Sequence, residues 1–532
     1  MKKYFALSFI ALGLGLTSCN DFLDKLPDDR AELNSNEKVT KFLVSAYVNN
    51  LPDFIFEISS DNVLDNGVQY TAQPNQDKIY RWQDVETENN DDPRSLWNGG
   101  YEAAAAANEA LAAIGDDPTM RGQRAEALLC RAYAMFQTAN IFCMAYNPEK
   151  ADEYMGIPYP KAPGVSVDER GTLRETYDNI NADIEEALPL LDDNHITVPK
   201  YHFNTKAAYA FAARFNLFYH QYDKAIEYAT RVLGSNVPGV LRNLEAYQGL
   251  GAQDFCNHYL RSSETANIMI LNGYSIAGRA PYSSSYRRFA AGRDIITNET
   301  FWVAMPWGSG SGANTLWASH KLYGSNQGVY YPKMIEQFEI TDQVNQTGYA
   351  HIVDCIFTTD ETLLVRAEAY ALKKDYAHAI ADMNDWIGSH CEASRTSGGT
   401  TARRPTLTED NINSFVKSAA TMKLIPEKAA DRSWKKAIKP QGFTVEEGTQ
   451  ENVIQLILHM RRIETIHQGL RWLDIKRYGI AFSHNLDGED PIVFEAGDLR
   501  GAIQLPNDVI DAGLPANPRA VATEETTEET NE

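Results

Sequence analysis

Residues 209–226 run YAFAARFNLFYHQYDKAI, and the second half of that stretch returns 154 residues later as AEAYALKKDYAHAI at 367–380. Ala213 and Ala225 in the first copy match Ala367 and Ala379 in the second, and Tyr222 and Ile226 match Tyr376 and Ile380. In each copy the two small residues lie twelve apart across a short polar turn, His220-Gln221 or Lys374-Asp375. Small residues let the two helices of a pair approach closely, while the aromatic and aliphatic positions fill the groove between them. This is the pattern of a tetratricopeptide-like helix-turn-helix unit. Weaker helix pairs over 97–142 and 453–478 bring the expected number of pairs to four. They are dispersed along the chain, whereas a plain repeat array would be tandem.

Outside these pairs the character of the chain changes twice. From Asp61 to Pro93 it is polar and irregular, with Tyr70, Tyr80 and Trp82 among Asn, Asp, Gln and Gly. From about 236 to 345 glycine, serine, asparagine and aromatics dominate, and the alternation Phe301, Val303, Met305 predicts short strands. The fold class expected is therefore mostly α: four helix pairs as a scaffold, carrying a large loop-rich insert with short β-strands. A long non-helical stretch inside a helical frame is where a binding surface is expected.

The N-terminus sets the compartment. Lys2 and Lys3 precede thirteen residues, Tyr4 to Leu16, in which Ser8 is the one polar side chain. That is too short to span a bilayer, which takes about 20 residues, but suits a signal-peptide core. Leu16-Thr17-Ser18-Cys19 follows and resembles the lipobox of bacterial lipoproteins. The resemblance implies removal of residues 1–18 and lipidation of Cys19. Residues 19–37 then form a tether, 38–519 a single domain, and 520–532, with five glutamates, a disordered acidic tail.

Composition excludes several functions. The chain of 532 residues carries 49 Lys+Arg against 72 Asp+Glu, a net charge of −23, which argues against nucleic acid and against charge-driven attachment to anionic lipid. Apolar residues at 43% exclude wholesale disorder. Cys130, Cys143, Cys256, Cys355 and Cys391 form no C-x-x-C pair and are expected as buried free thiols. No H-E-x-x-H, G-x-S-x-G or Walker-type loop is present, so neither a catalytic residue nor a metal or other cofactor is nominated. His459 and His467 are expected as packing residues. Asn485, Asp487, Glu489 and Asp490 lack the twelfth-position glutamate of a calcium loop.

The aromatics are more informative. Tyr274, Tyr282, Tyr286, Trp302, Trp307, Trp317 and Tyr323 crowd into the insert. Rings on loops present flat apolar faces with a polar edge, suited to the C–H face of a sugar, and neighbouring amides and arginines suit its hydroxyls. The ligand-binding candidates are Asn66, Tyr70, Arg81, Trp82, Tyr282, Asn298, Trp307 and Trp317.

Two blocks then identify a family resemblance. Cys19-Asn20-Asp21-Phe22-Leu23-Asp24 with Pro27 resembles the mature start of SusD/RagB-type outer-membrane lipoproteins of Bacteroidetes. Arg461-Arg462-Ile463-Glu464, followed by Gly469-Leu470-Arg471-Trp472-Leu473-Asp474-Ile475-Lys476-Arg477-Tyr478-Gly479, is similar to that family's RR-x-E … EG-x-R-W-x-D-L-x-R-W-G block. Tyr331-Pro332-Lys333, the helix 362–371 and the closing Leu505-Pro506 to Asn517-Pro518 also fit. Gln468 stands where the family has Glu, and Met460 where an acid is common. On one helix Glu464, Gln468 and Arg471 would share a face, so the block is expected to hold the last helix pair through buried charges. The resemblance implies a non-enzymatic nutrient-binding lipoprotein, usually for glycans, on the outer face of the outer membrane. Its partner would be a SusC-like TonB-dependent transporter, with the membrane reached through N-terminal lipid only. Two other classes stay open: a surface-anchored glycan-degrading enzyme, and a helical scaffold that binds peptide or protein.

Overall fold

The computed structural model describes residues 33–86, 91–164 and 169–519. The leader, Cys19, most of the tether and the acidic tail lie outside the described residues. In chain order the helices begin with α1 (Asn36–Phe42), α2 (Asp53–Ser59) and α3 (Pro74–Tyr80). α4 (Pro93–Ile114), α5 (Arg121–Phe142) and α6 (Leu173–Ala187) pack successively, followed by α7 (Thr205–Phe218) and α8 (Tyr222–Leu233). The insert contributes α9 (Ala252–Leu260) and α10 (Arg293–Asn298). Then come α11 (Thr359–Leu372), α12 (Tyr376–His390), α13 (Glu409–Ser418), α14 (Thr449–Glu464), α15 (Leu470–Tyr478) and α16 (Asn507–Asp511). No helix among the described residues is long and apolar enough to cross a membrane.

Ala213, Ala225, Ala367 and Ala379 are all fully buried, which is what lets α7 lie on α8 and α11 on α12. The two copies also meet: α8 packs on α11, so units 154 residues apart in sequence are neighbours in space. α11 touches α7, α8, α12 and α14, and nearly every one of its residues is buried. The fourth pair is looser. α14 lies along α11 and α13, whereas α15 packs chiefly on α2. The chain turns sharply between α14 and α15, with His467 and Gly469 both in the left-handed region at φ 68° and 72°. Glu464, Gln468 and Arg471 therefore do not share one helical face as the spacing predicts.

The strands are short: β1 (Leu64–Asp65), β2 (Asn267–Tyr274), β3 (Phe289–Ala290), β4 (Gly308–Ser309), β5 (Ala313–Asn314), β6 (Tyr323–Ser325), β7 (Gly328–Tyr330), β8 (Gln337–Asp342), β9 (Thr347–Thr358), β10 (Ser394–Ser397), β11 (Thr400–Arg403), β12 (Phe482–His484) and β13 (Ile492–Phe494). One antiparallel sheet has the order β2-β9-β8, and the others are two-stranded. β9 runs into α11, where the Thr358 side chain accepts the Glu361 N–H as an N-cap, so the insert is joined to the frame without slack. β1 pairs with β3 (Leu64 opposite Ala290), which fastens the irregular 61–93 segment to the insert.

Two local expectations are corrected. Phe301 to Met305 is not a strand, because Trp302 N–H turns back to the Ile296 carbonyl at 2.8 Å and Met305 closes a tight turn with Gly308. The 61–93 segment is not wholly irregular, because Pro74 at the first turn and the Gln73/Gln76 capping box start α3. All five described cysteines are free and buried.

Candidate functional site

The insert builds its outer face around one hairpin. β6 and β7 place Tyr323 opposite Tyr330 and join through Asn326-Gln327. Gly324 has φ 110°, and a Cβ there would collide with the Gly328 carbonyl oxygen, so the hairpin needs glycine at this point. Tyr282 stands beside it, its ring centre 5.4 Å from that of Tyr330, which in turn is 6.0 Å from Tyr323. Tyr282 is 39% exposed and the other two rings are half-buried, so the three phenols form a row open to solvent. Burial first, and then the nearby Glu336 carboxylate, hold the Tyr282 hydroxyl above its ordinary pKa, and it stays a neutral donor.

Asn66 fixes the hairpin tip from below. Its side-chain amide donates to the carbonyls of Arg287 (2.9 Å) and Gln327 (3.1 Å). Arg293, at the start of α10, adds a backbone N–H to the Asn326 carbonyl (2.8 Å) and Nη1 to Asn326 Oδ1 (3.2 Å). α10 also packs on β7. The Trp302 indole Nε1 donates to the Ser319 carbonyl at 2.9 Å, so this half-buried ring is docked on the turn that opens with half-buried Trp317. Asn298 closes α10 with its amide on the Asp294 carbonyl (2.9 Å).

The structure thus gathers Asn66 and Tyr282 at the hairpin, with Asn298 and Trp317 on the adjoining α10 and turn. Trp307 is corrected. It is 1% exposed and sits in the core, 5.8 Å from Trp386 and 5.9 Å from His459, so it offers no face to a ligand. Trp82 is likewise 7% exposed, stacked on His484 at 4.3 Å, with its indole N–H bonded to the Ser59 carbonyl. Arg81 is spent on Glu489 (2.6 and 2.8 Å) and Asp77 (3.1 Å). Asn66 acts through the loops it ties, since its donors are already engaged. Tyr70 is half-buried on the neighbouring loop, its N–H bonded to the Gly67 carbonyl. Tyr330 completes the row and is not among the aromatics singled out from the sequence. The signal available was Tyr-Gly-Ser-Asn-Gln-Gly-Val-Tyr over 323–330, a turn flanked by matched rings.

Beneath this face lies a buried charge cluster supplied by the Arg-Arg block. Arg471 pairs with Asp61 through two bonds of 2.8 Å. Arg462 donates to Asn62 Oδ1 (2.8 Å), to the Asp61 carbonyl (2.6 Å) and to Glu299 (3.2 Å). Lys436 and Arg432 also reach Glu299, at 2.6 and 2.7 Å. Burial alone would raise the Asp61 and Glu299 carboxyls, but these cations hold both below their ordinary range. Gln468 receives the Lys333 ammonium (2.7 Å) and donates to Asp354 (2.7 Å), tying Tyr331-Pro332-Lys333 to the turn before α15. The block therefore clamps the insert and the 61–93 segment to the frame, beyond the last helix pair it was expected to hold. His459 is buried with both ring nitrogens unbonded, and burial takes it down to about 3, so it is a neutral packing residue. Among the described residues no three His, Cys, Asp or Glu side chains are grouped as a metal site.

Residues 21–217 match the family model SusD-like_3, described as starch-binding associating with outer membrane. A SusD superfamily protein from Bacteroides thetaiotaomicron VPI-5482 superposes with a TM-score of 0.61 at 18% identity, covering 92% of this chain and 100% of its own. The fold is SusD-like. A second SusD superfamily protein, from Bacteroides vulgatus ATCC 8482, gives a TM-score of 0.62 at 15% identity, with 92% and 99% covered. A laminarin-binding SusD-like protein gives 0.51 at 13% identity, with 92% and 98% covered. No curated protein sequence matches the chain. At these identities the likeness establishes the SusD-like fold, and the tyrosine row is a feature of this chain's own residues.

Proposed function

We propose that this SusD-like protein captures oligosaccharide at the cell surface and passes it to a SusC-like TonB-dependent transporter, without chemistry of its own. The observation that carries the reading is the open row Tyr282–Tyr330–Tyr323 on a hairpin clamped to a rigid frame. Each phenol offers a flat apolar face to a pyranose ring, and Tyr282 and Tyr330 add a hydroxyl for its edge, the Tyr323 hydroxyl being bonded to the Leu250 carbonyl at 3.3 Å. A description of the matching family as starch-binding at the outer membrane and a laminarin-binding neighbour of the same fold support the glycan class. Affinity is expected to be modest, because a flexible chain must be ordered and desolvated. Retention beside a transporter compensates by raising effective concentration. Anchoring through lipid on Cys19, on the outer face of the outer membrane, rests on the leader. So does the division into leader, tether, one domain over 38–519 and acidic tail.

Isothermal titration against storage, plant and host oligosaccharides tests this. At least one ligand should bind, and Tyr282→Ala and Tyr330→Ala should each weaken it about ten-fold, in line with loss of a stacked ring. Silence across the set would overturn the reading. New reducing ends in the incubated glycans would favour an enzyme instead.

A further inference from the structure

We propose that the ligand of the tyrosine row is an acidic oligosaccharide, one carrying carboxylate or sulfate groups, held by Arg287 and Arg293. This rests on the glycan reading above and narrows its substrate class.

Alternate residues of a strand point to the same side, so Gly328 and Tyr330 share a face. A Cβ at Gly328 would lie 3.9 Å from Arg287 Nε and 4.0 Å from its Cγ. The Arg287 side chain therefore crosses the hairpin on the tyrosine side, in the space that glycine leaves open. Arg293 reaches the same turn through Asn326, its guanidinium 5.8 Å from the Trp302 ring centre. Arg287 thus lies against the hairpin that carries Tyr323 and Tyr330, and Arg293 lies at its turn beside the indole.

Charge separates these two arginines from their neighbours. Arg279 is matched by Glu336, with contacts of 2.6 Å through both Nε and Nη2, and Arg288 by Asp65 at 3.3 Å. Among the described residues no carboxylate lies within ion-pair distance of Arg287 or Arg293. Asp294 follows Arg293 in sequence, and its field acts on Arg432. Arg287 is half-buried and Arg293 exposed, and Arg293 gives only Nη1 to Asn326, which leaves its Nε and Nη2 for a ligand. In a chain of net charge −23, an uncompensated positive pair beside an aromatic row runs against the trend of the surface. A neutral glycan would leave both charges unmatched. A uronate or sulfate oxygen would accept from the planar fork that guanidinium presents, as arginine does for oxyanions generally.

The experiment is titration of the whole protein with oligogalacturonate, alginate oligomers and chondroitin sulfate oligomers, each paired with its carboxyl-reduced or desulfated form. At least one acidic member should bind about ten-fold more tightly than its neutral counterpart, and the arm showing the preference identifies carboxylate or sulfate. Arg287→Gln and Arg293→Gln should each remove up to about five-fold of that preference, since exposed ion pairs are individually weak. Arg287→Lys should retain part of it, with unchanged thermal melting showing an intact fold. Raising salt from about 50 mM to about 500 mM should erase the preference but spare neutral binding. Equal binding of acidic and neutral forms, or binding of neutral glycans alone, overturns the acidic class and leaves glycan capture standing. No binding of either form would sink both.

Discussion

Trp307 and Tyr330 lie 23 positions apart in one glycine-rich insert, yet they do opposite work. Trp307 fills the space between Trp386 and His459, so Trp307→Ala is expected to cost about 3–5 kcal/mol through the cavity it leaves. Denaturant unfolding measures this; a loss below about 1 kcal/mol would contradict the packing. Tyr330 is half-buried, and its removal should act on binding far more than on stability. Asp91 is a second single-residue case. Its buried carboxyl accepts the Ile276 N–H at 2.8 Å and the Ser275 hydroxyl. Burial dominates these bonds and takes the group from 3.8 to about 7. A pKa raised in the folded state means the fold binds this proton more tightly than the unfolded chain does. The associated stability is complete below pH 3.8 and is lost as pH rises through about 7. Asparagine can accept the Ile276 N–H through Oδ1 and donate Nδ2–H to the Ser275 Oγ, reversing that bond, and it tolerates the φ of 64° at this position. Asp91→Asn should therefore flatten the stability profile between these limits and be more stable than the parent at pH 8. An unchanged slope would refute the assignment.

At the scale of elements, what matters is how the ligand-facing loops are held. α14 and α15 send Arg462 and Arg471 across to Asp61 and Glu299, residues that belong to the two irregular segments. Glu299 is fully buried and serves Arg432, Lys436 and Arg462 together. Glu299→Gln would leave Lys436 and Arg462 to share Asp61 with Arg471 and would take from Arg432 its carboxylate partner, and breaking such a cluster costs about 3–5 kcal/mol. Glu299 immediately follows α10, so the variant should also free the hairpin tip, lowering glycan affinity and raising hydrogen exchange across 282–330. Normal stability with intact exchange protection would show that the clamp is not energetic. The motif residues were legible in the sequence, but their partners were not. Arg462 and Glu299 are 163 positions apart and Arg471 and Asp61 are 410 apart, and no local periodicity encodes contacts of that span.

For the whole molecule, the parts read correctly from sequence are those governed by short spacings. Ala213 with Ala225 and Ala367 with Ala379 report helix pairs because helix packing repeats every three to four residues. Burial of a loop ring obeys no such rule. Trp82 and Trp307 carry the same local signals as Tyr282 and Trp317, and only long-range docking on His484, Trp386 and His459 separates them. Frame and hairpin form one packed body, and the proposed anchor at Cys19 precedes all of it. Mooring and binding are therefore expected to be separable. Each buried methylene of an acyl chain contributes about 0.8 kcal/mol, so several chains on Cys19 would hold the protein at a membrane. A variant lacking residues 1–19 should leave the detergent phase for the aqueous phase in a phase-partition assay, with glycan affinity unchanged by titration. Continued detergent partitioning of that variant would mean the attachment lies elsewhere, and a fall in affinity would mean that the N-terminus contributes to the ligand face.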